Sequence, residues 1–262
     1  KYGSKLHCET QKISMTTIQK RFGLLGRNIN YSFSRGYFTE KFEKENLEGY
    51  TYENFDIPTI ASFLDVINNN DHLSGMNVTI PYKEEVIPFL DKLSKKAQKI
   101  GAVNTIKLTK KGKLKGYNTD YYGFQKSLEP LLESHHKKAL ILGTGGASKG
   151  VAFALEELGI DYTFVSRQAN EIVLGYNQIT DLIFDEYQIV INSTPVGTSP
   201  NTEAYPEIPY ESFTKKHIAY DLIYNPAETQ FLKKAQLRGA KTKNGLDMLI
   251  FQAEKAWKIW NK

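Results

Sequence analysis

The octapeptide GTGGASKG at residues 143–150 follows the apolar run ALIL at 139–142 and precedes a stretch of helical spacing at 151–158. A strand, a glycine turn and a helix in that order form a cradle for a diphosphate. Gly143, Gly145 and Gly146 can take positive φ angles and carry no Cβ to hold a phosphate off the backbone. The free N–H groups of the following helix, and its dipole, then attract the anion. The loop lacks the Gly-Lys-Ser/Thr ending of a P-loop, and the third glycine of the dinucleotide fingerprint is replaced by Ser148, between Gly146 and Gly150.

About twenty residues on, an NAD-binding chain carries an acid for the ribose 2′-hydroxyl. Here that position reads Val165-Ser166-Arg167-Gln168, with no carboxylate before Glu171. A guanidinium pairs with a 2′-phosphate that a carboxylate would repel, so NADP(H) is the expected cofactor.

From residue 139 onward, apolar runs at 139–142, 162–165, 189–191 and 217–222 alternate with helical segments such as 151–158 and 229–237. That alternation predicts a parallel sheet with helices on both faces. Upstream, strands are expected at 21–26, 50–55 and 75–80, and helices at 58–67, with Pro58 at its start, and at 91–100. A hairpin is expected around Lys110-Lys111-Gly112-Lys113. Pro81 suits a helix start, which would put Thr79 and Lys83 at a strand-to-helix corner, where α/β sheets bind ligands. On local grounds Lys83 reads as an ordinary solvated lysine, and Ser34 and Asp120 as helix caps. Asn118 would point the same way as Asp120 if the preceding strand runs that far. The segment 247–262 spaces Leu249, Ile250, Ala253, Ala256, Trp257 and Trp260 for one buried helix face.

The net charge of +5 hints at nucleic acid until it is located: within residues 1–20, four lysines face only Glu9. Little excess remains elsewhere, so no nucleic-acid footprint is expected. No apolar run approaches the ~20 residues of a membrane span. Residues 1–14 read as an expression leader with Met15 as the natural start, and they hold Cys8, the only cysteine. A reducing, cytoplasmic setting fits. The histidines show no ligand spacing, so no metal is expected.

With these residues in view, the chain resembles the shikimate dehydrogenase family from about residue 21 to its end. The resemblance rests on SFS (32–34), NVTIPYK (77–83), GAVNT (101–105), NTD (118–120), GTGGAS (143–148), YNPAET (224–229) and NGLDMLIFQA (244–253), in that order. It implies an α/β enzyme of two domains: a substrate-binding domain over 15–119, a Rossmann-like NADP-binding domain over 120–246, and a last helix, 247–262, that returns to the first. It also implies reversible reduction of 3-dehydroshikimate to shikimate by NADPH; a monomer and a homodimer both fit the sequence. Lys83 and Asp120 would be the catalytic pair. Ser32, Ser34, Thr79, Asn104, Tyr224 and Gln252 would join them around the substrate.

Cofactor contacts are implied at Gly143, Thr144, Gly145, Gly146 and Ala147, at Ser166, Arg167 and Gln168, and at Asn192, Ser193, Thr194, Ile223 and Gly245. Ile223 stands where the family often has methionine, and Ser166 where it often has asparagine. The competing readings are a quinate/shikimate dehydrogenase of relaxed cofactor use, expected to carry an acid near Arg167, and a non-catalytic NADP-binding relative, expected to lack Lys83 or Asp120.

Overall fold

A computed structural model describes residues 19–30 and 32–262. The expected leader, Cys8 and Met15 lie outside the described residues. The described residues form two six-stranded sheets, each built from one half of the sequence.

The first sheet has the order β2-β1-β3-β5-β6-β4. Strands β1 (Lys20–Gly26), β2 (Tyr50–Asp56) and β3 (Leu73–Val78) run parallel, while β5 (Thr105–Leu108) and β6 (Leu114–Tyr117) form the expected antiparallel hairpin. Side-chain alternation buries both faces: Phe22 and Leu24 of β1 join a core with Phe38 and Trp260, whereas Leu25 joins another with Phe63 and Met76. Helix α1 (Phe33–Lys44) covers the first of these faces and the short α2 (Phe63–Asn68) the second.

The second sheet is parallel throughout, in the order β12-β11-β10-β7-β8-β9. Its strands are β7 (Lys138–Leu142), β8 (Asp161–Ser166), β9 (Val173–Gly175), β10 (Ile189–Asn192), β11 (Ile218–Asp221) and β12 (Lys241–Lys243). The run at 139–142 is apolar without interruption because both faces are covered. Ala139 and Ile141 pack with Phe124, Val151 and Met248, from α4 (Asp120–Leu128), α5 (Gly146–Glu157) and α8 (Leu246–Trp260). Leu140 and Leu142 pack with Phe184 and Phe231, from α6 (Asp181–Glu186) and α7 (Gln230–Gln236). Helix α8 serves both sheets: Met248 belongs to the second core, and Ala253, Ala256 and Trp260 to the first.

Four local expectations are not met, two of them because of tertiary pairing. The helix expected at 58–67 begins later, as one 3-10 turn, Ile60–Ser62, before α2. No helix starts at Pro81; the peptide before it is cis, and a series of turns follows. The carbonyl of Lys83, which a helix would use, instead accepts from Val103 N at 2.7 Å. The helix expected at 91–100 is shortened to α3 (Lys95–Ile100), capped by the Ser94 hydroxyl, because Lys92–Leu93 pairs with β6 as β4. Finally, Ser34 is not the cap of α1: Ser32 holds that position, without a side-chain cap bond.

Candidate active site

The carboxyl ends of β1 and β3, the N-termini of α1 and α4, the loop after β11 and the middle of α8 enclose a cavity of about 280 Å³. Ser32, Ser34, Thr79, Lys83, Asn104, Asp120, Tyr224 and Gln252 all line it. Lys83 Nζ donates to Asp120 Oδ2 at 2.7 Å, with side-chain exposures of 14% and 9%. The other oxygen of Asp120 accepts from Asn104 Nδ2 at 2.8 Å. Asn104 is itself held by Thr119, whose backbone N–H donates to its Oδ1 at 2.6 Å, and its amide also reaches Gln252 Oε1 at 3.3 Å. The carboxylate is therefore fixed on both oxygens and a lysine ammonium is aimed at the cavity wall. Hydrogen bonds to both carboxylate oxygens offset part of the cost of burying the charged pair.

The cap position of α4 falls to Thr119, and Asp120 is the first helical residue. Asn118 does not share its direction. The strand ends at Tyr117, and the Asn118 side chain turns back to accept from Tyr121 N and donate to Ala102 O.

Ser32 Oγ is one of two buried side-chain polar atoms without a hydrogen-bond partner among the described residues. Such an atom costs free energy unless a ligand answers it, and it faces the cavity. Tyr224 reaches across from the loop after β11 and stands edge-on to Phe33 of α1, centroids 5.6 Å apart. Burial raises its hydroxyl pKa above the ordinary value, which keeps it a neutral donor.

The cavity also includes residues the sequence reading passed over. Asn77 has the clearest signal, since it lies two positions before Thr79 and alternation puts both on one face. Its amide bonds Asn104 O and Thr105 Oγ1, and Tyr52 donates to its Oδ1. Asn28 and Ile29 form a turn seated on the two oxygens of Asp56, with Asn28 at φ 58°. That pairing is non-local and left no pattern to read.

The glycine loop lies at the carboxyl end of β7, and α5 begins at Gly146, so its amides open onto the loop. Of the three glycines expected to use positive φ, only Gly143 does, at 102°; Gly145 has φ −75°. A Cβ on Gly143 would fall 2.9 Å from Thr194, whereas one on Gly145 would meet nothing, so Gly145 is open for a ligand to approach. Ser148 is fully buried and donates to Gly145 O at 2.6 Å, tightening the turn. The close helix approach falls to Gly150, where a Cβ would lie 3.3 Å from Asp120 Cβ. On Gly146 it would lie 3.6 Å from Lys83 Cβ. The diphosphate-type cradle thus abuts both members of the ion pair.

Ser166 ends β8, and Arg167 and Gln168 follow it, exposed at the rim. Asn192 is fully buried at the end of β10 and its amide is used internally, donating to Asp221 and Val196 O and accepting from Thr194. Its part is to hold the Ser193–Thr194 loop against the glycine turn. Ile223 is buried, and its carbonyl accepts from Gly245 N at 3.0 Å, which joins the loop after β11 to the start of α8. Beneath it, Asp221 takes bonds from Asn192, Thr229 and Ile223 N. Burial still pushes its pKa up to about 6.

The parallel sheet with its glycine turn, facing a polar cavity with a buried lysine–aspartate pair, defines a dinucleotide-dependent α/β oxidoreductase. Comparison with known proteins narrows this. Residues 24–106 match the family model of the shikimate dehydrogenase substrate binding domain. The NADP(+) shikimate dehydrogenase of Caldanaerobacter subterraneus subsp. tengcongensis is 39% identical over 95% of this chain and 93% of its own. The crystal structure of shikimate 5-dehydrogenase from Thermus thermophilus, in complex with NADP(H) and shikimate, superposes with a TM-score of 0.82 at 33% identity, covering 92% of this chain and 93% of that one. The quinate dehydrogenase of Corynebacterium glutamicum, in complex with NAD, gives 0.81 at 26% identity, over 92% and 93%. The chain belongs to the shikimate dehydrogenase family.

Proposed function

We propose that this protein catalyses the reversible NADPH-dependent reduction of 3-dehydroshikimate to shikimate, with Lys83 as the acid/base group and Asp120 as its partner. The observation that carries this reading is the 2.7 Å Lys83–Asp120 pair in the wall of a cavity that also presents the hydroxyl and amide side chains of Ser32, Ser34, Thr79, Asn104, Tyr224 and Gln252. A polyhydroxylated ring needs such partners, and analogues lacking a hydroxyl would leave them unpaired.

NADPH, when bound, supplies the hydride that the ring carbonyl carbon receives. The chain's residues handle the charge and the proton. As the carbonyl oxygen gains negative charge, the Lys83 ammonium stabilises it and gives up a proton to it. Asp120, fixed by Asn104, holds the ammonium in direction. Ser32, Ser34, Thr79, Asn104, Tyr224 and Gln252 would take the substrate's hydroxyls and carboxylate. The open backbone at Gly145 and the start of α5 fit a diphosphate, so residues Gly143 to Ala147 would seat it. Ser166, Arg167 and Gln168 would take the 2′-phosphate side of the adenosine. Ser193, Thr194, Ile223 and Gly245 would border the nicotinamide, with Asn192 acting through the loop it holds.

No helix of the described residues is long and apolar enough to cross a membrane. A cytoplasmic enzyme, working as a monomer or homodimer on a small-molecule substrate, completes the reading. The deciding assay pairs shikimate and quinate, each with NADP and NAD, and follows nicotinamide absorbance. Turnover chiefly with shikimate and NADP is expected. Preference for quinate or for NAD would overturn the substrate or cofactor assignment.

A further inference from the structure

We propose that a second cavity, which shares helices α4 and α8 with the catalytic one, is a binding site for a compact organic polyanion such as a phosphate ester or polycarboxylate. Its volume is about 390 Å³, within the ~300–1,000 Å³ usual for small-molecule sites. Its wall carries Lys95, Lys96, Lys107, Lys255 and Lys262. Among the described residues, the one ion pair these lysines make is Lys96 to Glu157, at 2.6 Å.

Lys95 and Lys262 are exposed, but Lys96, Lys107 and Lys255 are half-buried. Lys107 Nζ is tied to Ile259 O at 3.0 Å, and Lys96 lies over the ring of Tyr121, 4.7 Å from its centroid. Burial, and then repulsion from neighbouring lysines, pulls Lys107 and Lys255 below the ordinary lysine value. Crowding like charges in a concavity is unfavourable by itself and becomes favourable when an anion enters. Lysine ammonium groups are point charges that suit phosphate or carboxylate without requiring one orientation. Tyr117 and Tyr121 add apolar wall for the carbon part of a ligand. The limited size of the cavity suits a small molecule rather than a nucleic-acid duplex, which would need an extended basic stripe.

The test is calorimetric titration of the whole protein with inorganic pyrophosphate and, separately, citrate. The expected result is a saturable site that persists in saturating NADP⁺, is weakened at least tenfold by the Lys95→Gln/Lys255→Gln double change, and is restored by Lys95→Arg/Lys255→Arg. Tighter binding of pyrophosphate would assign the site to phosphate esters, and of citrate to polycarboxylates. The proposal is overturned if neither anion binds saturably, if NADP⁺ displaces all the binding, or if the lysine change leaves it unaltered. Failure of NADP⁺ itself to bind the protein would count against the cofactor reading and leave this site to be judged by the lysine variants.

Discussion

Lys83 and Asp120 are 37 residues apart in sequence and 2.7 Å apart in space, the lysine on a turn after β3 and the aspartate on the first turn of α4. Gly146 and Gly150 of α5 lie beside the same two residues, where an added Cβ would come within 3.6 Å of Lys83 and 3.3 Å of Asp120. The pair is therefore positioned by the helix that opens the nucleotide loop as well as by its own elements. Lys83→Ala is expected to lower kcat by roughly 10²–10⁴-fold, the usual worth of a positioned acid/base group, with little change in NADPH affinity. Steady-state kinetics with direct cofactor titration checks this, and near-normal turnover would reject the assignment.

Arg167→Ala is expected to weaken NADP(H) far more than NAD(H). A charge-assisted hydrogen-bonded contact is worth about 1.5–3 kcal/mol, or roughly ten- to a hundred-fold in affinity. Binding titrations with both cofactors provide the comparison; equal losses would remove the phosphate role.

Helices α4 and α8 carry Asp120 and Gln252, and they meet so closely that a Cβ on Gly123 would lie 2.3 Å from Met248 O. The obstacle is backbone, so it has no rotamer by which to yield. Gly123→Ala is expected to destabilise the fold by about 1–3 kcal/mol despite alanine's better helix propensity. Urea unfolding would reveal it, and an unchanged or raised midpoint would show that the crossing can relax.

Asp221 provides a pH signature. Its folded pKa of about 6 lies above the ordinary carboxyl value of 3.8, chiefly because burial disfavours the charge. Between those values the folded protein keeps a proton that the unfolded chain has released. Raising pH through this window costs stability, about 3 kcal/mol in total for this group. The stability difference between the wild type and Asp221→Asn should fall as pH rises from 4 to 6 and level off above that. Parallel curves would contradict the shifted titration.

Tyr224→Phe keeps the ring against Phe33 and removes a hydroxyl from the cavity. If that hydroxyl binds substrate, kcat/KM for shikimate should drop about five-fold, in line with about 1 kcal/mol for a neutral hydrogen bond, at unchanged thermal stability. A fall in stability without a kinetic effect would make Tyr224 a packing residue only.

Much of this protein was written locally. The parallel sheet followed from uninterrupted apolar strands alternating with helical runs, since a strand covered on both faces needs apolar side chains on both. The glycine turn and the arginine after β8 followed from chemistry at fixed spacing, and the ordered motifs pointed to the family. Tertiary structure decided what depends on a distant partner. Pairing with β6 made a strand of Lys92–Leu93 where spacing suggested helix, and Val103 took the Lys83 carbonyl that a helix would have used. It also moved the close-packing glycine from the fingerprint position to Gly150, turned Asn118 away from Asp120, and put Asn28 and Asn77 into the cavity. A sequence specifies residue types and their period along one element. Which side chains share a cavity depends on how separate elements pack, and that is settled only when the cores close.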